Sequence, residues 1–166
     1  MATKDIRNIA LIGHGHSGKT SLADAMLFKS KAHNRLGSMD DGSSVFDFDP
    51  EEKERKVSID LALATMTWSG MEFTLLDAPG YSDFAGEAVS AVAAADLAVV
   101  CINASAGIMV NTRKMWQLAE KAGLPAAVMI SKMDLENISY PTLLNSIREA
   151  FGAACVPVVL DRKSVV

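Results

Sequence analysis

Eight consecutive residues carry chemistry that is legible before any fold is known: Gly13-His14-Gly15-His16-Ser17-Gly18-Lys19-Thr20. The spacing fits G-x-x-x-x-G-K-[ST], a loop whose backbone N–H groups turn inward around phosphate oxygens. Glycines permit that turn, and the following helix adds the partial positive charge of its N-terminus. In this pattern the lysine, Lys19, reaches the outer phosphates and the Thr20 hydroxyl coordinates Mg²⁺. Gly13, Gly15 and Gly18 also spell G-x-G-x-x-G, the dinucleotide fingerprint. That reading needs an acidic residue ending a second strand about 20 residues further on. The stretch Lys31 to Gly42 reads as loop instead, and Lys19-Thr20 favours a triphosphate.

The loop needs a strand before it and a helix after it. Asn8 to Ile12 is apolar enough for the strand, and Gly18 to Ser30 reads as the helix. Beyond them, strand-like and helical runs alternate, which predicts an α/β fold of the P-loop nucleotide-binding type. Its sheet should be mainly parallel, with helices on both faces. Val57 to Trp68 and Met71 to Leu76, joined by Ser69-Gly70, predict one antiparallel hairpin. Further strands are expected at Asp96 to Asn103, Ala126 to Ile130 and Cys155 to Leu160. Helices are expected at Asp83 to Ala95 (capped by Asp83 or Ser82), Val110 to Lys121 (ended by Gly123) and Ser139 to Phe151 (Pro141 in the first turn). The polar stretch Lys31 to Glu54 lacks periodicity and is expected to be functional or disordered, and the charged run Glu51 to Lys56, between phosphate loop and second strand, is expected to be a mobile ligand-sensing loop rather than a solvated face.

Two more stations follow predicted strands. Asp77-Ala78-Pro79-Gly80 stands where sheet topology gathers ligand-binding loops. Asp77 can hold Mg²⁺ through water, and the Gly80 N–H can contact a γ-phosphate. Ser131-Lys132-Met133-Asp134 follows another buried strand. There the Asp134 carboxylate can accept from the N1–H and exocyclic amine of guanine, a donor pair adenine lacks. Such charge-assisted bonds are worth roughly 1.5–3 kcal/mol each. The stem of Lys132 can lie along the base. An ATP-using kinase or ATPase would leave Asp134 unexplained.

The chain has 166 residues, 49% of them hydrophobic, and a formal net charge of −4, which suits one domain with a real core. That charge argues against direct DNA binding. No apolar run approaches the ~18 residues of a membrane span. No signal peptide is visible in the polar start Met1-Ala2-Thr3-Lys4-Asp5. Cys101 and Cys155 lie in apolar runs and read as buried thiols in a reducing compartment, so a cytoplasmic location is expected. His14 and His16 read as loop side chains facing solvent rather than as metal ligands.

Taken together, Gly13–Thr20, Asp77–Gly80 and Ser131–Asp134 resemble the first, third and fourth guanine-nucleotide motifs of translational GTPases. The likeness is strongest to elongation factor G and its paralogues, including the elongation-factor-G-like proteins sometimes called type 2. Asp47 to Ile59 resembles that family's first switch segment and Asp77 to Phe84 its second. The resemblance implies GTP or GDP with Mg²⁺ as ligands. It implies GTP hydrolysis as the activity and, through a parent factor, the ribosome as partner. It places the nucleotide on Gly13, His14, Gly15, His16, Ser17, Gly18, Lys19, Thr20, Ser58, Asp77, Gly80, Ser131, Lys132 and Asp134. Thr20, Ser58 and Asp77 would serve the metal, with Lys19, Gly80 and Tyr81 at the reacting phosphate.

The chain departs from the family in three places. Tyr81 stands where a water-orienting histidine is usual, Ser131 where the guanine motif begins with Asn, and His16 where aspartate is frequent. A phenol cannot become a cation near neutral pH. The alternative to an efficient GTPase is therefore a GTP-dependent switch with weak intrinsic hydrolysis. The resemblance also implies that residues 1–154 are an incomplete GTP-binding domain, with residues 155–166 beginning the insert that elongation factor G carries. Asp161 to Val166 offers no closing element, and the fifth guanine motif is not found, since Ser105-Ala106 stands too early. A piece of a longer factor is expected.

Overall fold

The computed structural model describes residues 5–159. Met1 to Lys4, Leu160 and the tail Asp161 to Val166 lie outside the described residues. Five strands form one sheet: β1 (Ile6–Gly13), β2 (Ala62–Trp68), β3 (Met71–Asp77), β4 (Leu97–Asn103) and β5 (Ala126–Ser131). Their order is β2-β3-β1-β4-β5, parallel throughout except for the antiparallel β2–β3 pair. The hairpin turns through Ser69 (φ 51°) and Gly70 (φ 80°), both left-handed as a tight hairpin requires. Because β1, β3, β4 and β5 run the same way, Gly13, Asp77, Asn103 and Ser131 all end at one edge.

The helices are α1 (Lys19–Lys29), α2 (Pro50–Arg55), α3 (Ala85–Ala94), α4 (Val110–Lys121) and α5 (Tyr140–Phe151). Strand alternation sorts the core into two faces. Ile9, Leu11 and Leu75 face α1 through Ala23 and Leu27. Ala10, Ile12, Leu76, Ala98 and Val100 face α3 and α4 through Ala88, Ala91, Val92, Met115 and Ala119. Small alanines let those helices approach closely. Ile102 continues the second face to Leu143 and Ile147 of α5. Helices therefore cover both faces of a mainly parallel sheet.

Several boundaries differ from the sequence expectation. β2 begins at Ala62 rather than Val57, because the backbone N–H groups of Ile59 and Asp60 donate to Glu52 instead of to a strand. Neither Ser82 nor Asp83 caps α3, because the chain first makes a 3-10 turn over Ser82–Phe84 and puts Phe84 at the cap position. Residues 155–159 form no strand. No neighbouring strand pairs with them among the described residues, and Val156, Val158 and Val159 are exposed. Cys101 is buried and Cys155 half-buried, both as free thiols. Among the described residues no helix is long and apolar enough to cross a membrane.

The stretch from Lys31 to Glu54 is also more ordered than its composition suggests. Phe46 is 1% exposed and packs against the α1 face of the core. Asp49 opens α2 with a capping box: its side chain accepts from Glu51 N, and Glu52 accepts from Asp49 N at 3.2 Å. Glu52 is fully buried, and its second oxygen accepts from Ile59 N at 2.8 Å and Asp60 N at 3.2 Å. One carboxylate thus ties the start of α2 to the segment that leaves it. Replacing it strands three donors, so Glu52→Ala should destabilise the chain by about 3 kcal/mol. Amide exchange should accelerate at Asp49, Ile59 and Asp60 while β1 and β4 keep their protection. Unchanged exchange at all three amides would refute this role.

Candidate functional site

The glycine loop leaves β1 at Gly13, whose φ of 147° and contact with β4 admit no side chain: a Cβ there would stand 2.5 Å from Cys101 O. At the far end Gly18 (φ 86°) caps α1, with Ser131 packed against it. Gly15, His16, Gly18, Lys19, Thr20, Ser58, Gly80, Tyr81 and Lys132 line one cleft of about 320 Å³. Its other walls come from Ser38, Met39, Asp40, Lys56 and Val57, which motif spacing did not indicate.

Lys19 is 6% exposed and donates to His14 O at 2.9 Å, which folds its ammonium back under the loop. Burial pushes the Lys19 ammonium below its ordinary pKa, and Asp77 opposes that shift. Gly80 closes over this corner. A Cβ at Gly80 would stand 2.5 Å from Gly15 N and 2.6 Å from Lys19 Nζ. Only glycine brings a backbone this near to the donors of the loop. Asn111 of α4 holds the segment from behind, donating to Gly80 O at 3.0 Å.

Beneath the loop lies a chain of oxygens. Thr20 Oγ1 donates to Asp77 Oδ2 at 2.6 Å, and Ser58 Oγ donates to Asp47 Oδ1 at 2.9 Å. The two hydroxyls are 3.4 Å apart. Asp77 Oδ1 is buried without a hydrogen-bond partner among the described residues. Burial raises the Asp77 carboxyl to about 7, against the opposing pull of Lys19 and Thr20. Burial raises Asp47 and Asp24 as well. Both hydroxyls give their protons to carboxylates, which leaves oxygen lone pairs facing each other beside an orphaned carboxylate oxygen. That donor set fits a hard divalent cation such as Mg²⁺. Thr20, Ser58 and, through water, Asp77 would hold it, and it would neutralise charge on phosphate oxygens.

The remaining residues sit around this centre. Ser17 is buried, and its carbonyl accepts from Ser131 Oγ at 2.9 Å, so the serine at the end of β5 braces the glycine loop. His14 is half-buried, with its carbonyl occupied by Lys19. Lys132 adopts a left-handed conformation (φ 58°) at the cleft wall. Asp134 is exposed two residues further on, outside the residues that line the cleft. Tyr81 Oη lies 2.9 Å from His16 Nε2, with the rings edge-on. Sequence reasoning missed Asp24 and Asn111, and gave no individual role to Asp47 or Glu52 within the stretch that resembles the first switch. Polar residues with strict burial were the signal, and burial is not written in a motif.

A glycine loop at the end of β1, a helix behind it and a carboxylate at the end of the neighbouring strand define a P-loop nucleotide-binding domain. The chain matches the elongation factor Tu GTP binding domain family over residues 4–160, and it belongs to that family. It is 37% identical over 155 residues to an elongation factor G-like protein of Mycobacterium tuberculosis, covering 93% of this chain and 22% of that one. It is 36% identical over 156 residues to the mitochondrial ribosome-releasing factor 2 of Rattus norvegicus, covering 94% and 20%. A crystal structure of a Thermus thermophilus protein superposes with a TM-score of 0.85 at 41% identity, covering 89% and 22%. A bacterial selenocysteine-specific elongation factor shares the fold, with a TM-score of 0.67 at 23% identity, covering 86% and 23%. The chain thus spans about a fifth of the length of the relatives it matches.

The raised Asp77 carboxyl has a definite sign. The native state holds its proton up to about 7, whereas the unfolded chain releases it near 3.8. The native state therefore binds more protons between those values, and the stabilisation lapses as pH rises through 7. Asp77→Asn cannot ionise. In the nucleotide-free chain its melting temperature relative to the parent should rise between pH 4 and 7 and level off above that. A difference independent of pH would refute the assignment.

Proposed function

We propose that this chain is the GTP-binding and GTP-hydrolysing module of an elongation factor G-like translation factor that acts on the ribosome in the cytoplasm. The observation that carries the reading is the Thr20–Asp77–Ser58 cluster beneath the glycine loop, with its orphaned carboxylate oxygen. In this reading Gly13 to Thr20 cradle the phosphates, and Lys19 meets the charge that develops on the transferring group. Ser58, already 3.4 Å from Thr20, would hold Mg²⁺ together with it when a γ-phosphate is bound. Gly80, anchored by Asn111, offers its N–H to that phosphate. Lys132 and Asp134 take the guanine, and Ser131 keeps the loop brace while giving up a contact to the base. Residues 1–154 belong to this module and residues 155–166 to the segment that follows it.

The reaction is in-line attack of water on the γ-phosphorus. The new P–O bond forms as the bond from phosphorus to the β–γ bridging oxygen breaks, giving GDP and inorganic phosphate. A proton from the water remains on phosphate or passes to solvent. Water exclusion by Gly80 and Tyr81 would strengthen each of these contacts.

Single-turnover hydrolysis with and without ribosomes tests the reading. GTP should be cut in at least one condition, and Thr20→Ala should slow the reaction by roughly a hundredfold. Excess ATP should not displace labelled GTP. Binding without hydrolysis in both conditions would favour a pure switch, the reading that Tyr81 in place of histidine allows. Equal competition by ATP would overturn the guanine assignment.

A further inference from the structure

Tyr81 is not alone at the cleft. Its phenol oxygen lies 2.9 Å from His16 Nε2, and the rings meet edge-on with centroids 6.0 Å apart. The ring of Tyr81 lies over Gly15, where a Cβ would stand 3.0 Å from Cε2 and 3.1 Å from Cζ. Gly80, the residue before it, is fixed by Asn111. The phenol therefore has two contacts, the bare backbone of Gly15 and the imidazole. His16 occupies a left-handed position (φ 57°) that carries its side chain outward to the rim of the cleft. There the imidazole takes Tyr81 as its hydrogen-bond partner.

We propose that His16 is a positioning residue for hydrolysis, acting through the Tyr81 hydroxyl. The inference rests on the hydrolytic reading above. A phenol has one proton and two lone pairs. When His16 Nε2 accepts that proton, the phenol can only accept from its remaining neighbour. A water beside the γ-phosphate then donates to Tyr81 and presents its own lone pair to phosphorus. Without His16 the phenol rotates freely and donates or accepts indifferently, so the water loses its orientation. Oriented water is where a small geometric gain becomes a rate. The imidazole thus enters the site from the phosphate loop, and the tyrosine carries its effect to the water.

The test is phosphate release from the purified chain at saturating GTP and Mg²⁺, measured beside equilibrium affinities for GTP and GDP. His16→Leu removes the acceptor, Tyr81→Phe removes the donor, and His16→Gln keeps an acceptor at similar reach. His16→Leu and Tyr81→Phe should each lower kcat by about tenfold, and the double variant should fall no further. His16→Gln should recover kcat to within about threefold of the parent, and each variant should change kcat by more than it changes either Kd. Parental kcat in His16→Leu would overturn the proposal. So would multiplicative losses in the double variant, a His16→Gln no faster than His16→Leu, or loss of affinity in step with rate. A parent that binds GTP and never hydrolyses it, with or without ribosomes, would instead remove the hydrolytic reading, and the proposal with it.

Discussion

A buried carboxylate beside a buried ammonium is the constraint on which this structure depends. Asp77 and Lys19 are almost fully enclosed, yet each faces the desolvation of its own charge with only partial relief from the other. Thr20 supplies one hydrogen bond to Asp77, and one oxygen of that carboxylate has none among the described residues. Such a site is poorly satisfied by protein alone. Its charges would complement a polyphosphate and a cation, and the architecture holds these groups in place.

The sheet accomplishes that by register. Parallel pairing of β1 with β3 sets Leu11 beside Asp77, and pairing with β4 sets Gly13 beside Cys101. Four strand ends then deliver Gly13, Asp77, Asn103 and Ser131 to one edge. Each adds a different function there: a glycine-rich loop, a carboxylate, a turn, a brace. Ser131 reaches back to Ser17 O, so the two ends of the site are mechanically joined even though they are far apart in the chain. Asn111 does the same for Gly80 from α4.

The second organising group is Glu52. It collects the backbone donors of Asp49, Ile59 and Asp60 and so determines where Ser58 lies. Ser58 in turn gives its proton to Asp47, within reach of Thr20. The charged run Glu51 to Lys56 therefore contains the residue that fixes where Ser58 lies. The tyrosine at position 81 belongs to the same logic. Its phenol oxygen lies 2.9 Å from the imidazole of His16, which stands on the glycine loop.

Spacing and periodicity by themselves determined the glycine loop, the alternation of strands and helices, the hairpin and the three motif stations. These are local properties: glycine conformations, alternating burial and turn residues act over a few positions. The ends of β2 and α3, the absence of a strand over the described part of Cys155 to Leu160, and the helix α2 were decided by tertiary structure. There, backbone donors find partners that lie elsewhere, as Ile59 and Asp60 find Glu52, or find no neighbouring strand among the described residues, as in residues 155–159. The same division holds for the site. Lys19, Thr20 and Asp77 are legible because a motif fixes their types. Asp47, Asn111 and the pairing of His16 with Tyr81 are not, because two residues 65 positions apart become hydrogen-bonded only when the sheet brings their loops to one edge.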